Sequence, residues 1–576
     1  MQAKNRRDFI IRIASVSATL SAGGVLASER ENEPLEQRNP VRFDYGVASG
    51  DPLADRVILW THARRTAGTS SVQLEWEVAL DPAFRKVVAE GEVTARATND
   101  FTAKVDARGL KPGETYYYRF RAGSANSPVG KTRTLPEKNV SSVKLAVFSC
   151  ANFPAGYFYA YSEAIQTGAQ YALHIGDYIY EYPADGYASQ DAAALERLSL
   201  PANEVITLAD YRERYAQYRG DPDLKQLHAS MPMIAVYDDH EVANNSYVTG
   251  AENHTEGVEG TFAARVAAAM KVYHEWMPIR TPDMQDLRKV YRSFNFGKIL
   301  SLHMLETRLL ARAKQIEVTD LLNPATSAAA VSALSSPNRQ LMGEEQLTWL
   351  SSNMAASAAT WQVLGQQVIM ARMEFPASIL QALNPANTSP EAQAAGAKAI
   401  NDYLTAKGIA KYIATNNIPV TALPPAQQAL LALLDVRRNP KLGYNLDAWD
   451  GYPAAREKVL ATAKALQKRL VVLAGDTHNA WHSDLTLLNG SKVGEEFATP
   501  GVSSPGLEEY LSIPPAQTAA IFQGVIDTLR YAETQRRGFL LMTFTAESAT
   551  GEWYFIDNVK SSNPTWELGH TAVMAA

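Results

Sequence analysis

Cysteine is almost missing from this chain: among 576 residues only Cys150 carries a thiol. No disulfide can form within the chain, so a disulfide-stapled scaffold is excluded, and the lone thiol is either buried and inert or has a chemical task. Long apolar runs are missing too. The longest, Phe9 to Leu26, is short and rich in Ser, Ala and Gly, so no stable membrane span is expected. There is no run of Lys and Arg, and with a net charge of −6 nothing indicates a nucleic-acid groove. No fixed-period repeat is found, which excludes a solenoid. What remains is the composition of an ordinary globular protein, 46% hydrophobic and 20% charged, in a chain too long for one core.

The first 27 residues read as a targeting segment. Lys4, Arg6 and Arg7 form a basic start, and Val25 and Ala27 suit processing after Ala27. Arg12, early in the apolar stretch, argues against an uncleaved anchor. The run Asn5-Arg6-Arg7-Asp8-Phe9-Ile10 resembles a twin-arginine export signal. The expectation is export by the twin-arginine machinery, to the periplasm or out of the cell.

Residues 40–137 read as short strands between turns, with β-prone runs at Val57–Trp60, Val72–Val78, Lys86–Val93 and Tyr116–Phe120. Leu110-Lys111-Pro112-Gly113-Glu114-Thr115-Tyr116 looks like the tyrosine-anchored corner of a fibronectin or immunoglobulin-like sandwich. Lys138–Ser142 reads as a polar linker. From residue 143 to about 560 apolar runs alternate with helical segments, the pattern of a layered α/β domain. Strands are expected at Leu145–Phe148, Tyr171–Ile175, Met233–Val236, Ile299–Leu305, Trp361–Met370 and Leu470–Ala474, and helices at Ala155–Thr167 and Thr207–Arg219. Ala-rich stretches near Ala325–Ser335 and Ala377–Asp435 read as helical insertions.

Three of these strands end alike, with an acid after a hydrophobic run: Ile175-Gly176-Asp177, Val236-Tyr237-Asp238-Asp239 and Ala474-Gly475-Asp476. A fourth ends in Ser149-Cys150. In α/β sheets the carboxyl ends of strands meet in one crevice, where ligands bind. Any single acid reads as a helix N-cap. Taken together, with Tyr180, His240 and His478 close behind them, converging carboxylates and a thiol imply metal cations to compensate their repulsion. His174, His228 and His303 lack such neighbours and read as core histidines.

The motifs Gly176-Asp177-Tyr178-Ile179-Tyr180, Asp238-Asp239-His240-Glu241-Val242-Ala243-Asn244-Asn245 and Gly475-Asp476-Thr477-His478 resemble those of PhoD-type alkaline phosphatases, which are related to purple acid phosphatases among the metallophosphoesterases. The likeness extends to Gly46–Pro52, Tyr291–Phe294, Trp449–Ala454 and Arg537–Leu540, so it spans nearly the whole chain after residue 40. It implies a metallophosphoesterase-type α/β sandwich behind the small β-sandwich. It also implies a first metal held by Cys150, Asp177, Tyr180 and His478, and a second, bridged by Asp177, held by Asp239 and Asp476. Thiolate and phenolate suit Fe(III), and the all-carboxylate set suits calcium, one ion or two.

The expected reaction is hydrolysis of phosphomonoesters, with phosphodiesters also accepted, by a metal-activated hydroxide. His240 is the candidate general acid. Asn244 or Asn245 would bond a phosphate oxygen or complete a metal shell. Arg308 is a phosphate-binding candidate whose alternative is a surface ion pair. Two departures stand out: Tyr237 replaces the usual Trp, and Glu306 replaces Asp in an Asp-Thr-Arg pattern, which leaves a ligand role there open. The competing readings are a phospholipase D-type phosphodiesterase on the same site and a phosphate- or metal-binding protein without turnover.

Overall fold

The computed structural model describes residues 40–576 apart from residues 69, 139, 383–388 and 512. The expected export signal, residues 1–27, lies outside the described residues.

Two mixed sheets face each other across one core. The first is built on three parallel strands, Val143–Phe148, Tyr171–His174 and Met233–Ala235. Every residue of the latter two is buried, as are the last four of Val143–Phe148, and this is why they read as unbroken apolar runs. Arg537–Phe544, Ser548–Ile556 and Trp566–Ala575 extend this sheet antiparallel on one side. The second sheet has a parallel centre of Leu300–Met304, Trp361–Gly365, Arg469–Ala474 and Lys492–Ala498. Period-two burial shows which way its faces look: Val471 and Leu473 join the core shared with the first sheet, while Leu470, Val472 and Ala474 join an outer core. The helices Gly343–Ala356 and Pro453–Ala465 cover that outer face with Leu350, Met354, Val459 and Leu460. On the other side Tyr159–Gln166, Leu208–Gly220 and Pro222–Ser230 pack Tyr161, Tyr215 and Leu227 into the inner core.

The expected run Trp361–Met370 is a strand only as far as Gly365. Beyond it the chain leaves the ladder and buries two amides: Gln366 accepts from Trp449 Nε1 at 2.9 Å, and Gln367 Nε2 donates to Tyr237 O at 2.7 Å. In the Ala377–Asp435 stretch, helix Pro390–Thr415 packs Ile400 and Tyr403 against Phe375 and Phe522 in the outer core.

The N-terminal strands form an all-β sandwich. One of its sheets orders Gly130–Arg133, Thr115–Ala122, Ser71–Ala79 and Val87–Arg96 side by side. The facing strands Val47–Gly50, Arg56–His62 and Thr102–Arg108 continue the first sheet of the α/β layers, which they join where Gly50 pairs with Met233. Tyr116 anchors the corner, its hydroxyl accepting from Lys111 N–H at 2.7 Å.

Candidate metal centre

The loops that leave the carboxyl ends of these strands carry strained backbone. Cys150, Asp177, Asp476 and His478 all have positive φ, between 53° and 64°, which for residues with a Cβ costs about 1 kcal/mol or more each. Neighbouring backbone enforces it: Ala151 N–H donates to Asp177 O at 2.9 Å, Ser504 N–H to Cys150 O at 3.2 Å, and Gly475 N–H to Gln367 O at 2.7 Å. The glycines before two of the acids are required by crowding. A Cβ on Gly176, whose φ is +115°, would overlap Asp238, and one on Gly475 would stand 2.5 Å from Ser149 Oγ.

Cys150, Asp177 and His478 bring a thiol, a carboxylate oxygen and a ring nitrogen within 4.8 Å of one another. Tyr180 closes the group, its hydroxyl donating to Asp177 Oδ2 at 3.0 Å and lying 3.1 Å from His478 Nε2. His478 Nδ1 is 2.6 Å from Pro505 O, a contact that places a proton on Nδ1 and leaves the Nε2 lone pair available to a metal. Burial pushes the Cys150 thiol and the Tyr180 phenol well up and the His478 imidazole down to about 3.

Next to it stands an acidic group, Asp238, Asp239 and Asp476, again within 4.8 Å of one another. Asp177, Asp239 and His240 form a third such group, so the Asp177 carboxylate is shared. Burial, reinforced by neighbouring carboxylates, raises Asp177 and Asp476 well above the usual range. Against the same push of burial, Arg308 and His240 hold Asp239 below it. Asp177 Oδ1 has no hydrogen-bond partner among the described residues. A buried carboxylate oxygen without a donor, beside further acids and a thiol, is the donor set of a metal pair, and the residues fit one.

His240 is buried with Nδ1 2.7 Å from Glu181 Oε2, and its ring stacks on Tyr180 at 4.2 Å between centroids. Burial lowers its pKa, but Asp239 and Glu181 outweigh that and carry it well above the ordinary value. Arg308 is not the surface residue of the alternative reading. It is 0% exposed and reaches four carboxylates: Asp238, Asp447 at 2.7 Å, Asp476 at 3.0 Å and Asp239 at 3.4 Å. Asn244 and Asn245 approach the site with backbone rather than side chain. Their N–H groups donate to Glu181 Oε1 at 2.7 Å and Asp239 Oδ2 at 2.6 Å, while both side-chain amides donate to Glu252. The Glu306 carboxylate accepts from the N–H groups of Arg308, Leu309 and Leu310, so it shapes the loop that aims Arg308.

Sequence reasoning missed three acids. Glu181, next to Tyr180, orients His240; Glu241, inside the second motif, braces two loops by accepting from Asp177, Tyr178 and Asp238 N–H. Asp447 lies two residues before the Trp449 motif and binds both Arg308 and Arg312. His174, His228 and His303 are core residues bonded to Tyr161, Tyr178 and Gln362.

Residues 145–553 match the family model for PhoD-like phosphatase, and residues 28–136 that for the PhoD-like phosphatase N-terminal domain. The chain is 34% identical to alkaline phosphatase D of Bacillus subtilis (strain 168) over 525 residues, covering 87% of this chain and 76% of the relative. The solved structure of PhoD superposes with a TM-score of 0.73 at 31% identity, covering 92% of this chain and 90% of that one.

Proposed function

This chain belongs to the PhoD-like phosphatase family, and from that premise we propose that it is an exported phosphoesterase with iron in its thiol-containing group and calcium in its acidic group. As a homologue of alkaline phosphatase D it is a phosphoric ester hydrolase, and the proposal concerns its metals, substrates and route. The observation that carries it is a chain of shared carboxylates: Asp177 lies in one group with Cys150 and His478 and in another with Asp239 and His240, and Asp239 lies in turn with Asp238 and Asp476. Cys150, Tyr180 and His478 would hold the first ion. Asp239 and Asp476 would hold the second. When bound, such a pair supplies Lewis-acid charge to phosphoryl oxygens and lowers the pKa of a coordinated water.

The remaining residues supply positioning and a proton. Glu181 fixes the His240 ring through Nδ1, which leaves Nε2 as the nitrogen that would protonate a departing alcohol. Arg308 neutralises part of the acidic group and keeps its carboxylates in register. No side chain acts as nucleophile in this scheme. The ester is therefore limited by room around the leaving group, and both phosphomonoesters and phosphodiesters are substrates, best at alkaline pH. Export would follow the twin-arginine route through Arg6 and Arg7. Among the described residues no helix is long and apolar enough to cross a membrane.

Elemental analysis alongside rates on an alkyl phosphomonoester, an aryl phosphomonoester and a diester tests the reading. Iron and calcium should co-purify with activity. The change His240→Ala should slow the alkyl ester far more than the nitrophenyl ester, whose leaving group departs without a proton. A zinc-only enzyme of full activity would defeat the metal assignment, and equal losses on both esters would defeat the acid role.

A further inference from the structure

The face of the His240 ring lies against Tyr180, 4.2 Å between centroids. Such a contact fixes the plane of a ring better than its rotation within that plane. The direction of Nε2 is therefore set by the bond between Nδ1 and Glu181 Oε2. Glu181 does not orient itself: the terminal torsion of a glutamate is broad and nearly two-fold, so its plane follows its donors. Besides His240 it has two among the described residues, Asn244 N–H and Asn253 Nδ2, both on Oε1 at 2.7 Å.

Asn253 stands in the irregular segment between Gly250 and helix Phe262–Trp276, 72 residues from Glu181. Chemistry settles which way its amide points. Nδ2 lies 3.2 Å from Glu204 Oε1 as well, and ionised carboxylates only accept. One amide thus gives an N–H to each of two acids that would otherwise repel one another. Arg265, whose side chain is 0% exposed, supplies the charge that lets them approach. Its Nη2 donates to Glu204 Oε1 at 2.7 Å and to Val205 O at 2.9 Å, and its Nη1 donates to Asn253 O at 3.3 Å. Its Nε reaches the Tyr211 hydroxyl at 3.3 Å, which donates onward to Val242 O at 2.6 Å, two residues after His240. A single buried arginine ties the Asn253 segment and the His240 loop into one frame, and Glu252 N–H closes it on Asn244 O at 2.9 Å.

We propose that Asn253 is a positioning residue of the hydrolytic reaction: acting through Glu181, it sets the angle at which His240 presents Nε2 to the leaving group. This rests on His240 being the general acid. The hydrogen bonds of Asn253 reach Glu181, Glu204 and Arg265 and no candidate metal ligand. Its loss should be felt by the proton transfer and not by the metals.

In the full, metal-loaded chain, Asn253→Ala should slow an alkyl phosphomonoester about tenfold more than a nitrophenyl ester. The fall should lie in kcat rather than KM, with metal content unchanged. In a His240→Ala background the same change should slow the alkyl ester no further, because the group it positions is gone. Equal losses on the two esters, or full additivity of the two substitutions on the alkyl ester, would overturn the proposal and leave Asn253 as a brace of its loop. If His240→Ala is itself unselective between the esters, the acid reading falls and the proposal with it. If His240→Ala is selective and Asn253→Ala is not, only the proposal falls. Should Asn253→Ala fail to fold, Asn253→Ser carries the same comparisons, its hydroxyl being one bond short of Glu181.

Discussion

The candidate metal centre has two unlike halves that meet at Asp177, which groups with Cys150 and His478 on one side and with Asp239 and His240 on the other. On one side Cys150, Tyr180 and His478 are polarizable or neutral donors, and neighbours from one loop steer them: Cys150 by Ser504 N–H, Tyr180 by the Ser504 hydroxyl and His478 by the Pro505 carbonyl. On the other side Asp238, Asp239, Asp447 and Asp476 crowd oxygen ligands of one sign into a buried space, and Arg308 threads among them. The difference is one of charge in the absence of a cation. A thiol and a phenol remain neutral by keeping their protons, and burial favours that form. Aspartates at neutral pH have to be paired or protonated, so the acidic half carries a permanent counter-ion in its own sequence.

The largest effect should come from the residue the halves have in common. Asp177→Asn keeps the shape but removes the shared charge, so both ions should be lost and turnover should fall by about a thousandfold. Elemental analysis with initial rates checks this. Loss of only one ion would mean that the halves are independent sites.

Next is the counter-ion. Arg308→Met leaves four carboxylates facing one another, Asp238 and Asp239 buried and Asp447 and Asp476 partly so, and removing one partner of such a set costs about 3–5 kcal/mol. The loss should be full in chelator and smaller with calcium present, because a bound cation supplies the same compensation. Denaturant unfolding with and without chelator measures it. A loss independent of metal would show that Arg308 stabilises the fold by packing alone.

The thiol-containing half can then be emptied by itself. Cys150→Ser or Tyr180→Phe should lower iron content and activity by about 10- to 100-fold while leaving calcium in place. A Tyr180–Fe(III) bond gives a visible charge-transfer band, which Tyr180→Phe should abolish. Unchanged colour would remove Tyr180 from the ligand set.

How much of this was legible in the sequence depended on whether the signal was local. Cys150, Asp177, Asp239 and Asp476 each stand one residue beyond the end of a hydrophobic run, so the strands themselves bring them to one edge. Their companions Tyr180 and His478 are near enough in sequence to be carried along. Glu181 was within one residue of a motif and was still missed, because its task shows only when the fold sets it against His240, 59 residues away. Arg308 was misjudged for the same reason. A charged residue after a strand reads as surface, and its burial requires acids from three other segments to meet it. The sheet joining the N-terminal strands to the α/β layers rests on the pairing of Gly50 with Met233, a contact without any periodic signature.

The smallest effect tests how the acidic half is finished at its rim. Asn244 and Asn245 stand in the second motif, and their residue type invites a side-chain role on phosphate or metal. In the folded chain their backbone N–H groups hold Glu181 and Asp239, while their amides turn to Glu252, which is exposed. Asn245 also has a φ of +52°, a conformation that asparagine tolerates and glycine adopts freely. Asn244→Ala and Asn245→Gly both keep the N–H groups, and Gly keeps the left-handed turn. Each should therefore change kcat/KM by no more than about twofold, the scale of a substitution within about 0.5 kcal/mol. Asn245→Ala should do worse than Asn245→Gly despite the nearer size, because a Cβ there is strained. A tenfold loss in either Asn244→Ala or Asn245→Gly would mean that an amide side chain swings in to meet the substrate, and that the acidic half is completed by ligand binding rather than by the fold.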